Sequence, residues 1–111
     1  MIITYANKEV ELYFTDFSQM KRVLPFDWVR SIRKHLEHLE AAETFGDFLS
    51  LGLGKPEPLA GQKGVYSLHV SRNVRLIIMP SDDKKSVMLR EIVEIEGVCD
   101  YHGGKENWFI S

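Results

Sequence analysis

The fold is indicated most clearly by the stretch Tyr66-Ser67-Leu68-His69-Val70-Ser71-Arg72-Asn73-Val74-Arg75-Leu76-Ile77-Ile78-Met79, because two alternating runs meet there at a short polar turn. Apolar side chains recur at every second position on both sides of the turn: Tyr66, Leu68, Val70, then Val74, Leu76, Ile78. The spacing predicts two antiparallel strands, with Asn73 at positive φ in a three-residue loop. That register places His69 directly opposite Arg75.

The sheet extends from this hairpin in both directions along the chain. The polar run 80–85 predicts a turn, and Val87 to Ile95 predicts a third strand, which gives an antiparallel meander. At the start of the chain, Ile2 to Tyr5 predicts an extended segment. Residues 10–14 fit either strand alternation or helical spacing, and both interpretations stay open.

Two helices are predicted between the first strand and the hairpin. Phe17, Met20 and Leu24 recur at helical spacing after a cap at Thr15-Asp16, and Pro25 ends that helix. Asp27 caps a longer helix, whose apolar positions are Val29, Ile32, Leu36 and Leu39. The two helices are expected to form a hairpin on one apolar face.

Other segments receive simpler interpretations. His35 and His38 are taken as surface histidines, with metal binding a distant second because no Glu or Cys lies near them in sequence. The glycine-rich and proline-rich stretch 45–58 is predicted to be a loop that crosses the core edge. The tail Trp108-Phe109-Ile110 is expected to pack back on the sheet after a hinge at Gly103-Gly104.

These elements predict an α+β fold, in which two N-terminal helices pack on a small antiparallel twisted sheet. The 111 residues are expected to form one domain, 1–111. No apolar run approaches the roughly 20 residues of a membrane helix, and no secretory signal is recognised. With a single cysteine, Cys99, the chain has no internal disulfide and is expected in the reducing cytoplasm.

Positive charge is confined to one part of the chain. The net charge is −2, but residues 55–80 carry 4 Lys or Arg against 1 Asp or Glu, beginning with Lys55. Residues 81–111 carry 4 against 7, and residues 1–54 carry 6 against 8. A whole-surface nucleic-acid binder is therefore disfavoured, whereas a confined anion site and chance clustering both remain open.

The residues with catalytic potential predict a phosphodiester site. His69 and Arg75, about 5 Å apart across the hairpin, form a cationic patch to which His102 is expected to converge. An RNA 2′-hydroxyl as nucleophile needs a base, an acid and fixed positive charge, and it needs no metal or other cofactor. Arg75 would stabilise the transition state, while His69 or His102 would move the proton. The remaining candidates bind RNA through phosphate or through stacking on a ring: Lys63, Arg72, Lys55, Tyr66 and Tyr101.

A structural role is the other interpretation of the same residues. Arg75 can simply occupy the solvated sheet face. Asp100-Tyr101-His102 can form a corner in which the Asp accepts hydrogen bonds.

The stretch Leu59 to Leu76, together with the ending Asp100-Tyr101-His102, resembles the RelE/ParE superfamily of type II toxin–antitoxin toxins, specifically its HigB-like branch. The family stretch runs close to Leu-x-Gly-x-x-x-Gly-x-Tyr/Trp-Ser-Ile-Arg-x-Asn-x-x-x-Arg-Ile. Here the chain reads Leu59-Ala60-Gly61-Gln62-Lys63-Gly64-Val65-Tyr66-Ser67-Leu68-His69-Val70-Ser71-Arg72-Asn73-Val74-Arg75-Leu76. The chain departs from the family at Glu57, where a His is frequent, and at His69, where the Arg of Ser-Ile-Arg stands.

The resemblance implies a RelE-like fold and a ribosome-dependent mRNA endonuclease. It also implies a helix-turn-helix (HigA-like) antitoxin as partner, with operator DNA bound only through the toxin–antitoxin complex. By position, Arg75 would stabilise the scissile phosphate, and Lys63 would take the basic position before the Tyr-Ser pair. Tyr101 and His102 would align or protonate the substrate. Because Glu57 stands where the family frequently has a His, His69 is a candidate to replace that His as the catalytic base.

A non-catalytic function on the same scaffold is the alternative. The chain would then be a toxin that binds a protein target, as gyrase-directed relatives do, or a decayed toxin that only binds its antitoxin. Glu57, the acidic flanks and the Asn107–Ile110 tail favour this interpretation.

Overall fold

The computed structural model describes residues 1–102 and 104–111, and within them the chain forms four helices and six strands. The helices are α1 (Lys8–Thr15), α2 (Phe17–Met20), α3 (Phe26–Ala41) and α4 (Phe45–Ser50). The strands are β1 (Ile2–Tyr5), β2 (Glu57–Pro58), β3 (Tyr66–His69), β4 (Val74–Pro80), β5 (Ile92–His102) and β6 (Lys105–Ile110). A single 3₁₀ turn, Val87–Leu89, precedes β5. None of the helices in the described residues has the length and apolar character needed to span a bilayer.

One mixed sheet contains all six strands. Its order is β1-β5-β4-β3-β2, and β6 pairs with β5 as well. The pairs of the predicted meander are antiparallel, but β1 lies parallel to β5, so the prediction of a purely antiparallel sheet was wrong. Because α1 to α4 and the hairpin separate β1 from β5 in sequence, the chain has room for the crossover that a parallel pair requires.

The first helices differ in detail from their prediction. The ambiguous residues 10–14 lie in α1, whose cap is Asn7: its side chain accepts the backbone N–H of Val10 at 2.9 Å. Thr15 ends α1, and Asp16 alone caps α2 by accepting the N–H of Ser18 at 3.1 Å. The first strand is therefore followed by helix without a β-hairpin.

Helix α3 carries the main apolar stripe. It begins at Phe26 after Pro25, which provides no side-chain cap, so Asp27 lies in the first turn and is not the cap that was predicted. The four apolar positions of the stripe are buried, as expected: Val29, Ile32, Leu36 and Leu39. His35 is also buried and His38 is half-buried, so the prediction that both are surface residues was wrong.

The stretch predicted as a loop contains α4. Thr44 caps this helix by accepting the N–H of Asp47 at 3.2 Å, and both Phe45 and Phe48 are completely buried. The cap at Thr44 and the two buried phenylalanines together stabilise the helix by more than Gly46 destabilises it. The prolines follow the helix instead of interrupting it.

The core lies between the helices and one face of the sheet. All four helices contribute to it, so an arrangement of just two N-terminal helices does not describe the molecule. A smaller cluster on the opposite face consists of Leu59, Ile77 and Cys99, with Val65 and Tyr101 packed against it. No helical residue belongs to this second cluster, and we call this side of the sheet the open face.

The last two strands account for the end of the chain. Strand β5 begins at Ile92, so the prediction of a strand from Val87 was wrong at its start, where the 3₁₀ turn lies. Strand β6 pairs with β5 and buries Ile110, but Trp108 and Phe109 are 40% and 45% exposed, so the prediction that the tail packs on the sheet is confirmed only in part. Gly104 has φ +79; the other half of the predicted hinge, Gly103, lies outside the described residues.

Candidate functional site

The β3–β4 hairpin places His69 opposite Arg75, as the alternation predicted. Strand β4 in turn pairs Arg75 with Cys99 of β5. Because directly opposed residues project from the same side of a sheet, the three side chains share the open face. The positive φ predicted for Asn73 was wrong: among the described residues other than glycine, only Lys55 has one, at φ 47.

The guanidinium group of Arg75 is anchored to the hairpin. Its Nη1 donates to the carbonyl oxygens of Ser71 at 2.8 Å, Val74 at 3.0 Å and Arg72 at 3.2 Å. In the described part of the chain, every hydrogen bond of Arg75 uses this one nitrogen. One edge of the fork is therefore held in place, while Nε and Nη2 remain available to an anion.

The imidazole of His69 is kept neutral near physiological pH. Burial lowers its pKa most, followed by the charges of Arg75 and Lys55, whereas the carboxylate of Glu57 acts in the opposite direction. Glu57 pairs with Ser67, which lies two residues before His69 on β3, so the side chain of Glu57 is on the open face as well. A neutral imidazole beside a carboxylate can accept a proton, because the carboxylate stabilises the imidazolium that forms.

The backbone of His69 is fixed from the helix side of the sheet. Its N–H donates to the carbonyl of Gly54 at 2.8 Å, and its carbonyl lies 2.7 Å from Nε2 of His35. Burial lowers the pKa of His35, so its neutral ring donates to that carbonyl. Gly54 is required at this contact, since a Cβ there would lie 2.7 Å from the His35 ring. The position of His35 beside the apolar stripe was the single sequence signal for this role.

Tyr101 and Cys99 complete this part of the open face. Both belong to the smaller cluster, two residues apart on β5. The N–H of Tyr101 donates to the carbonyl of Asn73 at 2.7 Å, which ties the end of β5 to the hairpin turn. Burial raises the pKa of the Cys99 thiol to about 12, so it is no nucleophile.

His102 does not converge on Arg75. Alternation along β5 places Asp100 and His102 on the side of Val98, which is the helix-packed side. The ring of His102 is 66% exposed, and its Nδ1 lies 3.2 Å from a carboxylate oxygen of Asp100. This pair matches the corner described by the structural interpretation, and the predicted convergence of His102 with His69 and Arg75 is not seen.

Tyr101, one of the five predicted RNA-binding residues, lies on the open face, and the other four fall into two groups. Lys55 lies close enough to His69 to lower its pKa, and Arg72 is exposed at the hairpin turn. Lys63 and Tyr66 line a separate cleft at the opposite end of β3. The predicted site is therefore divided between two ends of the sheet.

A pair of carboxyl groups was missed. Glu94 and Glu96 lie two residues apart on β5, next to the bulge between Ile77 and Ile78. Burial, with the neighbouring Glu94, raises the pKa of Glu96 to about 7, and its Oε2 is buried with no hydrogen-bond partner among the described residues. Glu96 borders a cavity of about 370 Å³ with Asn7, Gln62, Val65, Ile77, Trp108 and Ser111. The Glu-x-Glu spacing before Gly97 was the available signal.

No group of three His, Cys, Asp or Glu side chains that could hold a metal ion occurs in residues 1–102 and 104–111.

Comparisons with known proteins support the fold and a coarse family relation. No protein-family model matches the chain, and no curated protein matches it. Among solved structures, the YoeB dimer from Staphylococcus aureus is similar, with a TM-score of 0.54 and 25% identity over 92% of this chain and 97% of that chain. The HigB-like branch receives no support from these comparisons. The structural neighbour is thus YoeB, a toxin of the RelE/ParE-like superfamily.

Proposed function

We propose that this chain is the toxin of a type II toxin–antitoxin pair and that it cleaves mRNA on the ribosome without a metal ion. The likeness to YoeB and the motif resemblance support the class of protein. The observation that carries the reaction is the group formed by His69, Arg75 and Glu57 on the open face. A neutral base, a fixed cation and a carboxylate are what an RNA 2′-hydroxyl requires for attack on its own phosphate.

In the proposed reaction His69 accepts the proton of the 2′-hydroxyl. The 2′-oxygen then forms a bond to phosphorus as the bond from phosphorus to the 5′-oxygen breaks. Glu57 stabilises the imidazolium, and the products are a 2′,3′-cyclic phosphate and a 5′-hydroxyl. No oxidant, reductant or second substrate is needed, since the nucleophile belongs to the RNA.

Arg75 is the proposed site of transition-state stabilisation. Its anchored Nη1 removes the rotational freedom that a free guanidinium would lose on binding, and its remaining nitrogens can contact two phosphate oxygens. The negative charge on those oxygens grows as the phosphorus becomes five-coordinate. A preorganised donor at that point contributes about 10²–10³-fold in rate.

Tyr101 is the proposed proton donor to the 5′-oxygen, because its phenol shares the open face with Arg75. Lys55 and Arg72 are proposed to contact neighbouring phosphates. His102 lies on the other side of β5, and its proposed role is to position the end of the strand through its contact with Asp100.

The proposed partner is a small antitoxin from the same operon, of the helix-turn-helix (HigA-like) kind, through which the pair would reach operator DNA. The net charge of −2 fits recruitment to mRNA by the ribosome better than tight binding to free RNA.

A translation assay with mapping of mRNA ends tests the proposal. Wild-type protein should arrest translation and leave new 5′ ends, and Arg75→Ala should reduce the cleavage rate about 100-fold or more. His69→Gln and Glu57→Gln should each reduce it, with the larger loss at His69. If Glu57→Gln costs more than His69→Gln, Glu57 is the base and the assignment of His69 is wrong.

A non-catalytic toxin is the second candidate, and the three carbonyl contacts of Arg75 favour it because they give that side chain a structural role. In that case the wild-type protein would arrest growth by binding a protein target, and mRNA would stay intact.

A further inference from the structure

A second basic cleft lies at the end of the sheet away from His69 and Arg75. Strand β3 begins where β4 ends, with Tyr66 paired to Ile78. The loop 59–65 before β3 and the loop 81–91 after β4 therefore meet at one end of the sheet. Their basic side chains line a cleft of about 490 Å³ with one aromatic wall, formed by Lys63, Gly64, Tyr66, Lys85, Val87 and Arg90.

Arg90 is the fixed cation of this cleft. Its Nε donates to the carbonyl of Lys84 and its Nη1 to the carbonyl of Pro80, both at 3.0 Å. A carboxylate oxygen of Asp82 lies 4.0 Å from its Nε. As with Arg75, backbone carbonyls hold one part of the guanidinium and leave Nη2 to a ligand.

Most of the acidic side chains near the cleft are already paired with other groups. Lys84 pairs with Glu91 at 2.6 Å and lies 3.8 Å from Asp82, and the oxygens of Asp82 also accept the backbone N–H groups of Lys84 and Glu91. Asp83 adds one more charge in that loop. Within the described residues, neither Lys63 nor Lys85 has a carboxylate partner within 4 Å. The cleft thus retains two exposed lysines beside a fixed arginine.

The wall of the cleft adds a flat apolar surface. The ring of Tyr66 is half-buried, with its centroid 4.9 Å from that of Phe45. Cations that surround an aromatic ring match a nucleotide, whose phosphate is anionic and whose base stacks. An acidic peptide would satisfy the lysines but would leave the ring without a planar partner.

We propose that this cleft binds the phosphodiester backbone of a second RNA segment, separate from the one at Arg75. The identity of the ligand as RNA rests on the proposed function, whereas the cleft and its charge do not. Because the two sites lie at opposite ends and on opposite faces of β3, one would hold the RNA while the other acts on it.

The test compares RNA binding by the full-length chain and by a Lys63→Gln/Lys85→Gln double variant. The probe is a fluorescent 2′-O-methyl RNA oligonucleotide, which cannot be cleaved, titrated over a range of salt concentrations. Each lost phosphate contact lowers the salt slope by about 0.7 for a single strand, so the double variant should lose about 1.4 in slope. If the two proteins bind equally at 1 M salt, the double variant should therefore bind about 25-fold more weakly than wild type at 0.1 M salt.

The matched control is Lys8→Gln/Lys34→Gln, which removes the same charge from α1 and α3 and should leave the slope within about 0.3 of wild type. An equal loss of salt slope in both double variants would overturn the proposal that the cleft binds RNA, since the effect would then come from net charge alone. A poly-glutamate peptide that competes better than RNA would also overturn it, in favour of an acidic protein ligand.

Failure of the cleft and failure of the proposed function are separable. If the lysine variant loses salt slope as expected but wild type cuts no mRNA, the nuclease proposal fails and the cleft stands. If wild type cuts mRNA and the lysine variant keeps the wild-type slope, the cleft fails and the nuclease proposal stands.

Discussion

Replacing Glu96 by Gln should stabilise the protein at alkaline pH and leave it unchanged at acid pH. The pKa of Glu96 is raised from 4.5 to about 7, because the group is partly buried next to Glu94. A raised carboxyl pKa means that stability is complete below pH 4.5 and is lost as the pH rises through 7. The full shift corresponds to roughly 3 kcal/mol, which solvent screening of this half-buried group reduces to about 1–2 kcal/mol.

Glutamine keeps the shape of the protonated acid and can donate an N–H to Glu94, so the variant should escape that loss. Urea unfolding at pH 4 and pH 8 measures this difference in stability: the free energy of unfolding of Glu96→Gln should exceed that of wild type by about 1–2 kcal/mol at pH 8 only. Glu37→Gln, which removes an exposed carboxyl from α3, is the control and should behave as wild type does at both pH values. A gain of the same size at pH 4, or no gain at pH 8, would refute the reasoning.

Three further outcomes are expected. His35→Gln should cost about 1–3 kcal/mol at pH 7.5 through the lost bond to the backbone of residue 69. Because the pKa of His35 is lowered, wild type should also lose stability as the pH falls below 6.5, and the variant, which keeps only the lowered pKa of His69, should lose less between thermal melts at pH 7.5 and pH 5. Gly97→Ala should lower the free energy of unfolding by about 3 kcal/mol or more, since its Cβ would lie 2.0 Å from the carbonyl oxygen of Ile110. Gly61→Ala, in open space at φ +77, should lower it by only about 1–2 kcal/mol. The Cys99 thiol, fully buried with a pKa of about 12, should react with a disulfide reagent at pH 8 only after urea unfolds the chain, and rapid reaction of the native protein would contradict its burial.

The hairpin and the apolar stripe of α3 were predictable because each depends on a local period. Alternation around residues 71–73 fixed the pairing of His69 with Arg75, and helical spacing found the buried face of α3. The parallel pairing of β1 with β5 had no local signal, because it joins segments about 90 residues apart. Helix α4 was missed because its glycine and the prolines beyond it concealed the cap at Thr44.

The candidate site was predicted only in part, for a related reason. The partners of Arg75 across the hairpin follow from register, but the side of β5 on which His102 lies depends on the bulges near Ile77 and Val98. A one-residue shift exchanges the two faces, so Tyr101 shares the open face and His102 does not. The buried role of His35 and the raised pKa of Glu96 arise from tertiary packing, which sequence spacing does not report.

The chemistry of the RNA ends produced in a purified translation system shows whether the protein cleaves mRNA through the RNA's own 2′-hydroxyl. The protein and the translation factors are first treated with EDTA to remove bound metal ions, and Mg²⁺ is then added back because the ribosome requires it. Under these conditions wild-type protein should yield 2′,3′-cyclic phosphate and 5′-hydroxyl ends, at a rate that falls about 100-fold or more in Arg75→Ala. Arg75→Lys should fold normally and recover only part of that rate, because a lysine cannot contact two phosphate oxygens from an anchored fork. Intact mRNA with wild-type protein, or equal cleavage by all three proteins, would contradict the account.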